Sequence, residues 1–382
     1  MILSNVFRYL GTHLSERGGV SCYTHPCMWN RIWGLLGQDI GIDLGTANTV
    51  VHLKNKGIII RQPSVVARQM KSKEILAIGD EAKKMVGKNP ASIEVVRPLR
   101  DGVIADYDAA EAMMSFYIRE VKRLMSHWQM GLDKPRVVVG IPSGVTEVER
   151  RAVQEAALSA GANEAFLIEE PMAAAIGAGL PVSDATGQMV VDIGGGTTEI
   201  GVISLGGLVL NRSLRIAGDE LTEAVINFAR LKYNLLLGEA SAEEVKIAIG
   251  SAYPQKCEEE GKPLTVVIRG RSLETGLPKS QKMTSVELRE ALAPVVRQIL
   301  NEITLVMEET PPELVSDILE RGMIMAGGGS LLRGMDKLVA EETGMPVWVT
   351  DKPMEAVVRG CARVLEEPSL LSRVKVVGGL RY

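Results

Sequence analysis

Two aspartates, Asp43 and Asp192, each close an apolar strand and open a turn of small residues: Ile42-Asp43-Leu44-Gly45-Thr46-Ala47-Asn48-Thr49 and Val191-Asp192-Ile193-Gly194-Gly195-Gly196-Thr197-Thr198. Such a turn can grip a polyphosphate. Glycine and threonine let backbone N–H groups and hydroxyls approach phosphate oxygens closely, and a carboxylate at the strand end can hold Mg²⁺ through its water shell. One turn alone reads equally well as a tight strand-to-loop corner. Its duplication favours a clamp that holds a metal–phosphate group from both sides, in a chain built as two similar halves. A third glycine run, Gly327-Gly328-Gly329-Ser330, also follows an apolar strand and precedes an amphipathic helix, so it can present backbone amides to a phosphate or a ribose. His13, His25, His52 and His127 all fall outside these turns, which argues against histidine-based acid–base chemistry.

The elements that must position these turns alternate as an α/β architecture requires. Ile58-Ile59-Ile60, Ser64-Val65-Val66-Ala67, Ala165-Phe166-Leu167-Ile168 and Met189 to Asp192 read as strands. Arg136-Val137-Val138-Val139-Gly140-Ile141-Pro142 is an apolar run of the kind buried on both faces. Thr146-Glu147-Val148-Glu149 has the form of a capping box one residue off, and Val148 to Ala160 is predicted as a helix that Gly161 stops. Further helices are predicted from Pro171 to Gly177, Glu220 to about Tyr233, from Ala242, from Ser285 to about Thr310, and from Leu331 to Glu342. Strands are expected around Ile200–Ile203, Leu208–Leu210 and Gly322–Ala326, and Gly270 to Gly276 reads as a turn-rich connection.

Composition sets the class. The chain has 382 residues, 46% hydrophobic and 24% charged, enough for two substantial cores and unlike a disordered or fibrous protein. A net charge of −4 gives no global basic field, which argues against nucleic acid as a partner. No apolar run approaches the roughly 20 residues that span a bilayer. The four cysteines are scattered, as suits a reducing cytoplasm. Cys22, His25 and Cys27 lie close together, but no second cluster completes a tetrahedral metal site.

Five stretches carry a family resemblance: Asp39 to Thr49, Arg97 to Asp106, Ile168 to Gly179, Asp192 to Glu199 and Met325 to Ser330. In order and spacing they resemble the MreB family of bacterial actin homologues, within the actin, Hsp70 and sugar-kinase superfamily, over roughly Asp39 to Glu366. The resemblance implies an α/β actin-like fold, two RNase H-like halves with subdomains IA, IB, IIA and IIB around a cleft that takes ATP or GTP with Mg²⁺. It implies a first half over 39–179 with a IB insert at about 67–99, and a second half over 180–350 with a IIB insert at about 216–280. Residues 351–382 would return to IA and end in a tail, and residues 1–38 would form an N-terminal extension. Thr46, Ala47 and Asn48 would form the first phosphate loop, Gly194, Gly195 and Gly196 the second, and Gly327, Gly328, Gly329 and Ser330 the adenosine-side loop. Asp43 and Asp192 would hold Mg²⁺ through water. Glu243, Glu244, Val245 and Lys246 match the family's purine pocket, although alone they would read as a solvated charged face. Glu170 would position or deprotonate the attacking water, helped by Thr197, since phosphoryl transfer asks mainly for positioning and charge stabilisation. Glu169 is its structural neighbour and the alternative.

Two apolar segments suggest a membrane surface. Trp29, Ile32, Trp33 and Leu36 recur at helical spacing beside Arg31, as suits the bilayer interface; packing on the protein body is the other reading. Leu3, Val6, Phe7, Leu10 and Leu14 show the same spacing further upstream, and Met28 reads as an alternative start. Trp128, Met130 and Leu132 are out of place in a connection expected to be exposed. Each anchor would be weak, and many copies on a filament would bind through avidity.

The expected function is that of a slow nucleotide-hydrolysing cytoskeletal protein. By resemblance it polymerises with itself, lies on the inner face of the cytoplasmic membrane, works with cell-wall elongation proteins and determines rod cell shape. A small-molecule kinase shares the two loops but needs an acceptor site and a general-base Asp that cannot be assigned. An Hsp70-type chaperone needs a substrate-binding domain after the nucleotide domain, and none is expected after Glu366.

Overall fold

Short β-branched runs bounded by glycine turns build two central sheets of the same design. The computed structural model describes residues 39–124, 135–367, 370 and 377–381. In the first half, β1 (Asp39–Leu44), β2 (Asn48–Leu53) and β3 (Gly57–Pro63) form an antiparallel meander. Then β4 (Val66–Gln69), β5 (Ile75–Ile78) and β6 (Ile93–Val96) make a small separate sheet, and β7 (Leu99–Arg100) and β8 (Val103–Ile104) a hairpin. After the helix Tyr107–Arg123, β9 (Arg136–Ile141) and β10 (Glu164–Glu169) run parallel to β1. The sheet order is therefore β3-β2-β1-β9-β10, with the antiparallel strand Val377–Arg381 added at the β10 edge.

The second half repeats this order. β11 (Gln188–Ile193), β12 (Thr198–Ser204) and β13 (Gly207–Leu214) form the meander. β14 (Leu235–Leu236), β15 (Thr265–Ser272) and β16 (Pro278–Thr284) make the small sheet. β17 (Met323–Ala326) and β18 (Val347–Val349) return parallel to β11, giving β13-β12-β11-β17-β18. β11 is buried along its whole length, as expected for a strand covered on both faces.

Helix ends are set by local chemistry. Thr146 and Glu149 form a capping box in register, because the helix runs Glu147–Ser159, one residue earlier than expected. A second box, Thr284 with Glu287, opens Ser285–Glu309, which continues through Pro294 because its buried face, from Leu288 to Val306, outweighs one lost hydrogen bond. Two expectations need correction. Leu331 to Glu342 is not one helix: a 3₁₀ turn covers Gly328–Leu331, Gly334 turns left-handed at φ 72°, and the helix is Met335–Thr343. The Gly270 to Gly276 connection is partly strand, since β15 runs through Gly270 to Ser272 before the turn to β16.

Each half has its own apolar core, and a third core lies between the sheets. Its centre is the pair of helices Glu170–Ala178 and Ala356–Glu366. Their backbones meet at two glycines. A Cβ on Gly177 would sit 1.8 Å from the Ala356 carbonyl oxygen, and one on Gly360 would sit 1.9 Å from that of Ala173. Among the described residues no helix is long and apolar enough to cross a membrane. Trp29, Ile32, Trp33, Leu36, Trp128, Met130 and Leu132 lie outside the described residues, as do Cys22, His25 and Cys27.

Candidate functional site

The two Asp-containing turns meet at the ends of β1 and β11. Asp43 stands on the second-last residue of β1 and Asp192 on that of β11. The turns after them fit together as bumps and hollows. A Cβ on Gly195 would lie 2.6 Å from the Ala47 Cβ, and one on Gly196 would lie 2.8 Å from Thr46 Oγ1. Gly195 and Gly196 are therefore glycines because the other half's turn presses against them, while Asn48 remains exposed at the start of β2. Gly194 N–H donates to the Thr197 carbonyl at 2.8 Å, which closes the second turn on itself.

The third glycine run backs this junction. Gly327, at φ 77°, passes so close to β11 that a Cβ would sit 2.3 Å from Asp192 Oδ1. A Cβ on Gly329 would strike the Ile193 side chain at 2.2 Å. The Ser330 hydroxyl donates to the Gly327 carbonyl at 2.7 Å, fixing the 3₁₀ turn that contains Gly328.

Four carboxyl groups gather here. Asp192 and Glu199 face each other in register across β11 and β12, and both are buried. Glu170 is the first residue of its helix, and its Cγ lies 3.7 Å from where a Cβ on Gly140 would be, beside Asp43's register partner on β9. Burial pushes the Asp43 carboxyl up to about 7, even though part of its surface stays open to the cleft. Burial raises Glu170 well above its ordinary value, and the charges of Glu199, Asp43 and Asp192 raise it further. Asp192 is raised well above its ordinary value by burial, then by Asp43 and Glu199. No salt bridge of the described residues neutralises Asp43, Asp192 or Glu170, and a mutually repelling donor set of this kind suits a divalent cation. No three His, Cys, Asp or Glu residues among those described form a direct cage. An ion here would keep waters and draw on phosphate oxygens, as Mg²⁺ does.

Glu169, the neighbour of Glu170, is paired with Arg150 at 2.9 Å. Thr197 is buried at the end of the second turn. Glu243 and Lys246 converge on the same junction from the helix Glu239–Ile249. Lys246 Nζ donates to the Gly218 carbonyl at 2.8 Å and Thr222 Oγ1 donates to Glu243 Oε2 at 2.5 Å. Gly218 N–H in turn donates to the Gly194 carbonyl at 3.2 Å. Val245 points into the core and Glu244 is exposed.

Sequence reasoning gave no role to two further parts. The Asp101–Gly102 tip between β7 and β8, both residues at positive φ, enters the cleft: Gly102 N–H donates to Thr46 Oγ1 at 3.3 Å. A Cβ on Gly102 would lie 2.9 Å from Thr197 Cγ2. The Asp-Gly pair is itself a hairpin signal that could have been read. The other part is Glu199, hidden in an apolar strand. A separate cavity of about 590 Å³, lined by residues including His52, Arg61, Lys352 and Arg359, lies along the β3 edge and shares no lining residue with the carboxyl cluster.

The chain matches the family model described as MreB/Mbl protein over residues 37–373. It is 49% identical over 343 residues to the cell shape-determining protein MreB of Escherichia coli K12, covering 89% of this chain and 96% of that protein. It is 44% identical over 344 residues to the cell shape-determining protein Mbl of Bacillus subtilis 168, covering 90% of this chain and 100% of that one. Crystal structures of Spiroplasma citri MreB5 share the actin-like fold. The ADP-bound form has a TM-score of 0.81 at 33% identity, covering 88% of this chain and 98% of that chain. The AMPPNP-bound form has a TM-score of 0.81 at 34% identity, covering 88% and 97%.

Proposed function

The chain belongs to the MreB/Mbl family, and on that premise we propose that it is a nucleotide-dependent, filament-forming protein that determines cell shape. It binds ATP with Mg²⁺ between its two halves, hydrolyses it slowly, and assembles with copies of itself on the inner face of the cell membrane, where it organises cell-wall elongation. The observation that carries this reading is the meeting of two duplicated Asp-containing turns from separate sheets, backed by a third glycine run. The ADP and AMPPNP held by the Spiroplasma citri relative favour an adenine nucleotide. The names of the Escherichia coli and Bacillus subtilis relatives favour a role in cell shape over small-molecule phosphorylation.

In this reading Thr46, Ala47, Asn48 and Gly194 to Gly196 hold the phosphates, Gly327 to Ser330 border the adenosine, and Glu243 and Lys246 border the base. Asp43 and Asp192 would hold Mg²⁺ through water, and when bound it would neutralise charge on the phosphates. Glu170 positions or deprotonates the attacking water, and Thr197 helps to hold that water from the other half. The halves are 39–179 and 180–350, with 351–382 returning to the first. Trp29, Ile32, Trp33, Leu36, Trp128, Met130 and Leu132 supply the membrane contacts.

Light scattering and pelleting of the full chain with Mg²⁺-ATP, with and without anionic liposomes, test the reading. Assembly that requires nucleotide, and co-sedimentation that weakens when Trp29, Trp33, Trp128 and Met130 are all changed to Ser, are expected. A chain that neither binds ATP nor pellets would overturn it.

A further inference from the structure

We propose that Glu199 is a positioning residue for hydrolysis: it ties the loop after β9 in the first half to β12 in the second, and so keeps Glu170 and Thr197 aimed at one water. The proposal rests on the hydrolytic reading above and adds a residue to it. Glu170 and Thr197 belong to different halves, so each small rotation of one half against the other changes their separation. Something must hold them in register.

Glu199 is placed to do so. It is fully buried, two residues after Thr197, and both its oxygens are engaged. Oε2 accepts the backbone N–H of Ser143 at 3.0 Å, and Oε1 accepts the hydroxyl of Ser213, its register partner on β13. Ser143 follows Ile141 by two residues, and Ile141 pairs in register with Glu169, next to Glu170. The link therefore runs from the Thr197 turn to the strand ends that carry Glu170. The loop also packs directly on its anchor, since a Cβ on Gly144 would sit 3.0 Å from the Ser213 Cβ.

The duplicated architecture supplies an internal control. Asp192 faces Glu199 in the second sheet, and at the corresponding register of the first sheet Asp43 faces Val50, which is 3% exposed. The fold fills this position with an apolar side chain in one half. A buried carboxylate in the other half adds a desolvation cost that packing does not require. Proximity to the reacting side chains agrees, because the charge of Glu199 is the strongest charge effect felt by Glu170.

Phosphate release and nucleotide affinity of assembled protein with Mg²⁺-ATP test this. Glu199→Val copies the first half, so it should fold and bind ATP within threefold of the parent while releasing phosphate at least tenfold more slowly. Glu199→Gln can still accept from Ser143 N–H and donate to Ser213 Oγ, and should retain at least a third of the parent rate. Ser213→Ala removes one anchor without touching the buried carboxyl, and should slow release about threefold. In a Glu170→Ala background, Glu199→Val should slow release by no more than twofold further. Full turnover by Glu199→Val, equal damage by Gln and Val, or multiplicative losses with Glu170→Ala would each overturn the proposal and leave the hydrolytic reading standing. If Glu199→Val does not fold, unimpaired release by Ser213→Ala overturns it instead. A parent chain that binds ATP but releases no phosphate would remove both.

Discussion

The two sheets share one strand order, β3-β2-β1-β9-β10 and β13-β12-β11-β17-β18, yet their junction is asymmetric. The first turn offers side chains, Thr46 and Ala47, and the second offers bare backbone at Gly195 and Gly196 to receive them. Opposite the turn aspartates the contrast runs the other way: Val50 in the first half, Glu199 in the second. Duplication thus fixes where the strand ends meet. The departures from it need an explanation other than the repeat, because a repeat alone would place like against like.

The sharpest way to break this asymmetry is to give the second turn a side chain. Gly195→Val would press branched carbons on Ala47, and we expect at least a hundredfold loss of ATP affinity by titration calorimetry, about 2.7 kcal/mol. Ala47→Gly in the same chain should recover part of that loss. Removing a carboxylate from either turn tests whether both halves serve the metal. Asp43→Ala and Asp192→Ala should each weaken Mg²⁺-dependent ATP binding or turnover at least tenfold, about 1.4 kcal/mol; a parent-like value in one variant would leave the metal to a single half.

A weaker perturbation acts where the halves are joined by helices. Gly177→Ala would set a methyl against the Ala356 carbonyl, and overpacking of this kind costs about 1–3 kcal/mol in thermal or denaturant unfolding. The smallest effect is on pH. In the nucleotide-free chain the Asp43 carboxyl rises from 3.8 to about 7 through burial, so the folded state holds this proton more tightly than the unfolded state. Its contribution to stability is fullest below 3.8, declines as pH climbs towards 7, and changes little above. Melting of the nucleotide-free chain should fall by about 2–4 °C between pH 5 and 7.5. A melting temperature that rises over that interval would contradict the buried, unpaired state of Asp43.

Much of this was legible in the sequence because the signals were local. Thr146 and Glu149 announce their helix, and Val137 to Val139 announce a strand buried on both faces. The Asp-Gly/Thr turns repeat in residue type and spacing, with Asp, Gly and the last Thr identical, which pointed to two similar halves. The small sheet β14-β15-β16 was not legible, since β16 reads Pro-Lys-Ser-Gln-Lys-Met-Thr and buries little beyond Met283. Without an apolar alternation, a strand cannot be told from a loop. Glu199 was missed for the opposite reason. Its neighbours Thr198 and Ile200 make the strand look purely structural, and its partners Ser143 and Ser213 are distant in sequence. Only the pairing of β12 with β13 and the closeness of the Pro142 loop reveal that a carboxylate there is shared between halves.

The contact of Gly177 with Gly360 also has a mechanical meaning. Where two helices meet backbone to backbone, flanked by packed side chains and by the Arg363 bond to the Ile176 carbonyl, the crossing fixes one point on the helix that starts at Glu170. Glu170 lies seven residues from Gly177 along its helix, a lever arm of about 10 Å at 1.5 Å per residue. A turn of ten degrees about that point would carry the Glu170 end sideways by roughly 2 Å, more than half the length of a hydrogen bond. The closest approach of the two helices thus sets how far a small rotation would carry the Glu170 end.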